Sequence, residues 1–306
     1  MEFRGYTFQK STSNQSQDHC QLLDLLVKRE KKVMKLEIPI ESYGIAFSSK
    51  VESKTDEKIE ELKLNGFCVL DSGYSSGYLK KISDAFESLK HIYDQKYKKY
   101  DLKKIDEHNS LRLPLVFGGK NIFKALAFNA PLLELISRTI RGKFILNQQN
   151  GIINPSRQKY NQGKWHRDLP YQHYVSSRPL ALNALFCVDD FTDANGSTFV
   201  LQGSHKSENY PSKNYIHKNA RQIIAKKGHF IVLDCMLYHA GGKNKTNHPR
   251  RAINHVYTIP FFKQQISIPK NLSGHILSEF EKEILGFSFL EPDTIDKYLQ
   301  NRAKKN

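Results

Sequence analysis

One pattern limits what this chain can fold into more than any other: Trp165-His166-Arg167-Asp168, answered far downstream by Tyr238-His239 and then by Arg250-Arg251. His166 and Asp168 stand two positions apart, so on an extended backbone their side chains leave the same face. A partner His supplied from a distant part of the chain requires a fold in which remote strands meet, as they do across a barrel. Two imidazoles and one carboxylate on one side of Fe(II) leave the opposite positions open for a co-substrate and O2. An Arg roughly ten residues after the second His can cross the same barrel and hold a dicarboxylate by its far end, because a guanidinium fork matches a carboxylate bidentately. His166, Asp168 and His239 are therefore the candidate metal ligands and catalytic centre, with an Arg as the candidate co-substrate anchor. An isolated H-x-D is a weak signal. Of the twelve histidines, however, His166 alone is followed two places on by an acidic residue.

Two further segments complete the pattern. Asp189-Asp190-Phe191-Thr192-Asp193-Ala194-Asn195-Gly196-Ser197-Thr198 is followed by Gly203-Ser204-His205-Lys206, and His239-Ala240-Gly241-Gly242-Lys243-Asn244-Lys245-Thr246 leads to Arg250. Together with Trp165 to Tyr171 these resemble, in the same order, the motifs of the phytanoyl-CoA dioxygenase family of non-haem iron, 2-oxoglutarate-dependent oxygenases. The resemblance runs from about Ile59 to Pro260. It implies a mostly β fold with flanking helices (α+β) around a double-stranded β-helix, the cupin-like jelly roll. It also implies Fe(II), 2-oxoglutarate and O2 as reactants, with succinate and CO2 formed beside a product hydroxylated at a C–H bond. Asp168 argues for hydroxylation, since halogenating relatives carry a small residue there. Two departures stand out: Gln202 replaces a usual Pro, and Gly241 replaces a Ser that in relatives helps hold the co-substrate, which shifts that load to the Arg.

Composition agrees with one large domain carrying extensions. The chain has 306 residues, 39% of them hydrophobic, and no run long and apolar enough to span a bilayer. The polar N-terminus does not read as a signal peptide. Cys20, Cys68, Cys187 and Cys235 lack metal or redox spacing and read as reduced thiols of a cytoplasmic protein. The net charge of +16 comes mainly from scattered Lys. It reads as a solvated surface that leaves an anionic small-molecule substrate open, with no nucleic-acid motif to support that partner.

The pattern divides the chain into an N-terminal extension (1–54), an oxygenase domain (55–262) and a C-terminal helical extension (263–306). Expected helices are Leu22–Val33, Lys58–Leu64, Leu79–Tyr97, Lys124–Arg141, Ile276–Leu285 and Thr294–Asn301. Expected strands are Lys35–Ala46 at an edge, Gly66–Leu70, Phe144–Ile153, Leu180–Val188, Ser197–Val200, His229–Asp234 and Ala252–Ile259.

Around the metal, several choices stay open. Alternation allows only one of Arg250 and Arg251 to face the barrel; the small neighbours Ala252 and Asn254, and the family spacing, favour Arg250. Asn147, Gln149 and Gly151 alternate on one strand, and the resemblance places an Asn or Gln near there against 2-oxoglutarate; Thr246 and Asn244 could line the turn after His239. His205 reads as a turn residue, and His173, His229, His248 and His255 as structural or surface groups. Lids are expected at Asp101–Lys120 and Ser207–Lys227, where Tyr210, Tyr215, His217, Lys218 and Arg221 could meet an anionic or hydroxylated substrate. The competing reading is a metal- or sugar-binding barrel of the same shape without turnover.

Overall fold

The computed structural model describes residues 38–117, 122–159, 161–169 and 174–303. The chain divides into two units, Met1–Ser48 and Ser49–Asn306. In the first, Ile38–Ala46 forms no strand, and Ile38, Ile40, Tyr43 and Ile45 are exposed. The expected edge strand is therefore absent over these residues, where Pro39 cannot donate to a ladder and Gly44 turns left-handed at φ 70°. The helix expected at Leu22–Val33 lies outside the described residues.

The second unit opens with helix α1 (Lys54–Asn65). The Ser53 side chain caps it by accepting from the Asp56 N–H, and Gly66, at φ 83°, ends it by donating to Leu62 O. Strand β1 (Phe67–Asp71) follows, then helix α2 (Ser76–Lys96), whose buried stripe is Ile82, Phe86, Leu89 and Tyr93. Strand β2 is Ser110–Arg112. The single helix expected at Lys124–Arg141 is two, α3 (Ile122–Ala127) and α4 (Ala130–Ile140). Asn129 divides them: its side chain accepts from the Leu132 N–H as an N-cap and donates to Ser72 O, and Pro131 belongs to a helix's first turn.

The remaining strands are β3 (Ile145–Asn154), β4 (Ala181–Cys187), β5 (Thr198–Leu201), β6 (Ala220–Gln222, after helix α5, Lys213–Asn219), β7 (His229–Asp234), β8 (His239–Gly241) and β9 (Arg250–Thr258). They form a six-stranded sheet of order β1-β7-β4-β9-β3-β2 and a three-stranded sheet of order β6-β5-β8, every pairing antiparallel. One face of the large sheet packs on the helices through Phe86, Phe186, Phe230, Ile253 and Tyr257. The other face meets the small sheet through Cys187, Val200, Ile231, Leu233 and Ala252. Period-two alternation thus gives the inner strands β7, β4, β9 and β3 two largely buried faces, and only the one toward the small sheet can line a site between the sheets.

After Pro260 the chain returns to the helix-covered side. Ile268, Leu272, Ile284 and Leu285 join the helix-side core, so 263–306 is part of the same compact unit as the sheets. Among the described residues, no helix is long and apolar enough to cross a membrane. Cys68, Cys187 and Cys235 are free and buried, and burial pushes the Cys68 thiol up to about 12.

Candidate metal centre

His166 and His239 come together by backbone pairing. Each N–H donates to the other's carbonyl, at 3.0 and 3.1 Å, an isolated antiparallel bridge that sets the two imidazoles side by side with ring centroids 4.3 Å apart. Asp168, two residues on, is anchored by its N–H to Cys235 O at 3.0 Å and points to the same side. Arg167, between them, turns away. It stacks on Tyr238 with its guanidinium 4.0 Å from the ring centroid and donates to the carbonyls of Met236, Ser204, Ser207 and Glu208. That buried clamp ties the ligand loop to the turn before β8, so the residue between the ligands fixes their backbone.

One atom from each of His166, Asp168 and His239 lies within 4.8 Å of the others. The donor set fits a divalent metal in its tautomers as well as its spacing. His166 Nδ1 donates to Lys164 O at 2.7 Å and His239 Nδ1 to Leu237 O at 3.0 Å, which leaves each Nε2 as the lone-pair nitrogen. His239 Nε2 stands 3.6 Å from Asp168 Oδ1, while Asp168 Oδ2 accepts from Asn183 Nδ2 at 2.8 Å. Without an ion, burial pushes Asp168 upward, but His239, at contact distance, and then His166 and Asn183 outweigh it and hold the carboxyl down at about 2. Burial lowers His239 while Asp168 raises it, with a net rise; His166 is pushed down, first by burial and then by the charge of its neighbour.

These side chains line one end of a narrow cavity of about 70 Å³ between the two sheets, with Ile152, Gln162, Asn183, Leu185, Thr198, Leu233, Gly241, Arg250 and Asn254. Arg250 is 2% exposed, and its guanidinium lies 3.9 Å over Phe191 while Nη1 donates to Gly196 O at 3.0 Å. Gly196 is at φ 77°, and a Cβ there would fall 2.3 Å from Gly242 O, so this carbonyl is available to Arg250 only because the residue is Gly. Arg251 leaves the opposite face and pairs with Asp189 and Glu87 against α2. Of the two, Arg250 alone lines the cavity. The Oδ1 atoms of Asn183 and Asn254 are buried without partners in the same wall, as expected of a cavity shaped for a polar guest.

Three expected co-substrate contacts lie elsewhere. The β3–β9 register slips between Leu146 and Gln148, so Asn147 sits at a bulge and its amide donates to Phe262 O and Lys263 O. Gln149 faces the helices: its amide accepts from the Leu115 N–H, donates to Phe123 O and meets His255 Nε2 at 2.9 Å, with Gly151 on the same face against Phe86 and Leu111. The Thr246 hydroxyl closes a turn on Asn244 and His248 O. The inner face of β3 offers Ile152 instead. Asn183, Thr198 and Gln162 escape notice in the sequence because each is an ordinary polar residue until the strands align.

The family model for phytanoyl-CoA dioxygenase matches residues 62–252. The chain belongs to that family. Membership makes it a 2-oxoglutarate-dependent oxygenase. Among proteins similar in sequence, the uncharacterized protein Rv1501 of Mycobacterium tuberculosis is 29% identical over 266 residues, covering 84% of this chain and 96% of its own. Dioxygenase af480 of Aspergillus fumigatus is 29% identical over 119 residues, 36% of this chain and 37% of its own. Among solved structures, EctD from S. alaskensis, crystallised with 2-oxoglutarate and 5-hydroxyectoine, has TM-score 0.55 at 20% identity over 73% of this chain and 81% of its own. HygX from Streptomyces hygroscopicus, with nickel, 2-oxoglutarate and hygromycin B, has TM-score 0.52 at 16% identity over 70% and 90%. At these identities the likeness is one of fold, the double-stranded β-helix.

Proposed function

We propose that this phytanoyl-CoA dioxygenase family member hydroxylates a C–H bond of a small molecule in the cytoplasm. The observation that carries the reading is the convergence of His166, Asp168 and His239 at one end of a cavity whose wall also presents the buried Arg250. EctD and HygX, crystallised with 5-hydroxyectoine and hygromycin B, support a small-molecule substrate; the buried free thiols suit a reducing compartment.

In this reading His166 Nε2, His239 Nε2 and an Asp168 oxygen hold Fe(II), and Arg250 holds the 5-carboxylate of 2-oxoglutarate. When bound, Fe(II) and 2-oxoglutarate supply O2 activation, with succinate and CO2 as co-products. The chain's own residues orient and enclose. Lys164 O and Leu237 O fix the imidazole tautomers, and Asn183 keeps the carboxylate from rotating. Ile152, Leu185 and Leu233 keep the cavity wall apolar beside the metal.

The test is anaerobic titration of the metal-free protein with Fe(II) and 2-oxoglutarate, following the weak visible charge-transfer band of the chelate. The expected result is a band in wild type that is lost in His166→Ala and needs at least tenfold more 2-oxoglutarate in Arg250→Ala. Absence of the band in wild type overturns the reading in favour of a barrel that binds without turnover.

A further inference from the structure

A second, wider cavity of about 860 Å³ adjoins the metal cavity, and Gly241 lines both. The 3-10 turn Asn161–Gly163 is the sill between them: Gln162 lines the metal side, Asn161 and Gly163 the outer side. The outer wall is strongly one-signed. Arg157, Lys159, Lys164 and Lys243 line it against a single carboxylate, Asp106. No ion pair among the described residues uses any of these four cations, although Arg112, Arg138, Arg251, Lys124 and Lys143 each find a carboxylate.

The wall is also fastened in place. Arg157 holds a left-handed backbone at φ 53°, fixed by its N–H on Asn244 O at 3.0 Å, and Asn161 Nδ2 donates to Asp106 O at 3.2 Å. Two polar atoms of the wall residues lack protein partners: Asn161 Oδ1 and His108 Nδ1. Asn109 Nδ2 donates to His108 Nε2 at 3.0 Å, so the neutral ring carries its proton on Nδ1, leaving a donor without an acceptor.

We infer that this outer cavity seats a multiply charged anionic group of the substrate, of which a phosphate ester is the ordinary biological form, while the carbon to be oxidised passes Gly241 to the metal. The inference rests on the oxygenase reading above and adds the substrate class. Arg157, Lys159, Lys164 and Lys243 are exposed side chains gathered around one concavity, and a concave wall of one sign concentrates counter-charge more than the same lysines scattered over a convex surface. A single carboxylate would leave most of the surplus uncompensated, whereas a phosphate ester takes up more of it and offers oxygens to the guanidinium and ammonium groups. The cationic side chains expected in the lid at Ser207–Lys227 line neither cavity; the cations of the outer wall are Arg157, Lys159, Lys164 and Lys243.

The chain carries its own reporter. Trp165 is its only tryptophan and stands between Lys164 of the outer wall and the metal ligand His166. We would titrate the metal-free full chain with inorganic pyrophosphate, and separately with acetate at matched ionic strength, and follow Trp165 fluorescence. Arg157→Gln/Lys243→Gln removes two wall charges, and Lys213→Gln/Lys218→Gln removes two from α5. The expected result is saturation by pyrophosphate in wild type and in the α5 variant, about tenfold weaker binding in the wall variant, and no saturation by acetate. Equal affinity in all three proteins, no saturation in wild type, or acetate binding as tightly as pyrophosphate would each overturn the assignment. The charge-transfer band is scored on the same proteins. A normal band without pyrophosphate binding sinks the substrate class and leaves the oxygenase; pyrophosphate binding without a band sinks both, since nothing would then oxidise what the cavity holds.

Discussion

Asp234 ends β7 at 5% exposure, and its carboxylate accepts the Met236 N–H at 2.9 Å. Burial raises its pKa from 3.8 to about 6, against the opposing pull of Met236 N–H, Lys206 and Arg167. The unfolded chain therefore ionises this group first. Between the two values the folded state keeps a proton that the unfolded state has lost, so the group's contribution to stability is complete below pH 3.8 and falls as the pH rises to 6. A rise of about two units is worth about 3 kcal/mol against the fold at neutral pH. Asp234→Asn keeps the shape and the acceptor for Met236 and removes the charge. The expected result at pH 7.5 is a Tm higher by roughly 6–12 °C, as an upper bound for a unit of this size. At pH 5, which lies between the two values, the unfolded chain is already ionised while the folded one is not, so roughly half of that gain should remain. Thermal melts by circular dichroism at both pH values decide it. An equal gain at both, or a loss at pH 7.5, would refute the argument that an ionised, poorly solvated carboxylate is the cause.

Two further substitutions probe the supports of the site. Asn183→Ala removes the amide that fixes Asp168 Oδ2 and should weaken Co(II) or Fe(II) affinity by roughly 10–100-fold, read by metal titration; unchanged affinity would mean that the carboxylate is oriented by other means. Gly196→Ala forces a Cβ to 2.3 Å from Gly242 O at a left-handed residue and should cost about 2–4 kcal/mol in chemical denaturation. Because Gly196 O holds Arg250 Nη1, the same variant should need more 2-oxoglutarate to develop the charge-transfer band, and an unshifted titration would separate the glycine from the anchor.

The convergence of His166, Asp168 and His239 was legible in the sequence because two positions on one extended segment give one face, and a third side chain joins them only from a strand that meets that segment. Arg250 over Arg251 was legible for a related reason. Ala252 and Asn254 leave space on one face of β9, whereas Ile253 and Tyr257 fill the other against the helices. The outer basic wall was not legible, because Asp106, His108, Arg157, Lys159, Lys164 and Lys243 come from separate segments that become one surface only in the fold.

Strand β3 shows where alternation stops being a guide. Asn147, Gln149 and Gly151 share a parity, and parity implies a common face only while the ladder is regular. The register slip between Leu146 and Gln148 breaks that regularity at Asn147. Beyond it, Gln149 and Gly151 face the helices. Nor does polarity reveal the direction. Gln149 is fully buried with donors and acceptors satisfied on the side expected to be apolar, while the cavity side of the same strand presents Ile152. In a sheet buried on both faces a polar side chain goes where its hydrogen bonds can be completed, and that is set by the ends of neighbouring segments such as Leu115 N and Phe123 O. A metal ligand escapes this ambiguity because its partner is the ion and its two companions, and those constrain one another along the chain.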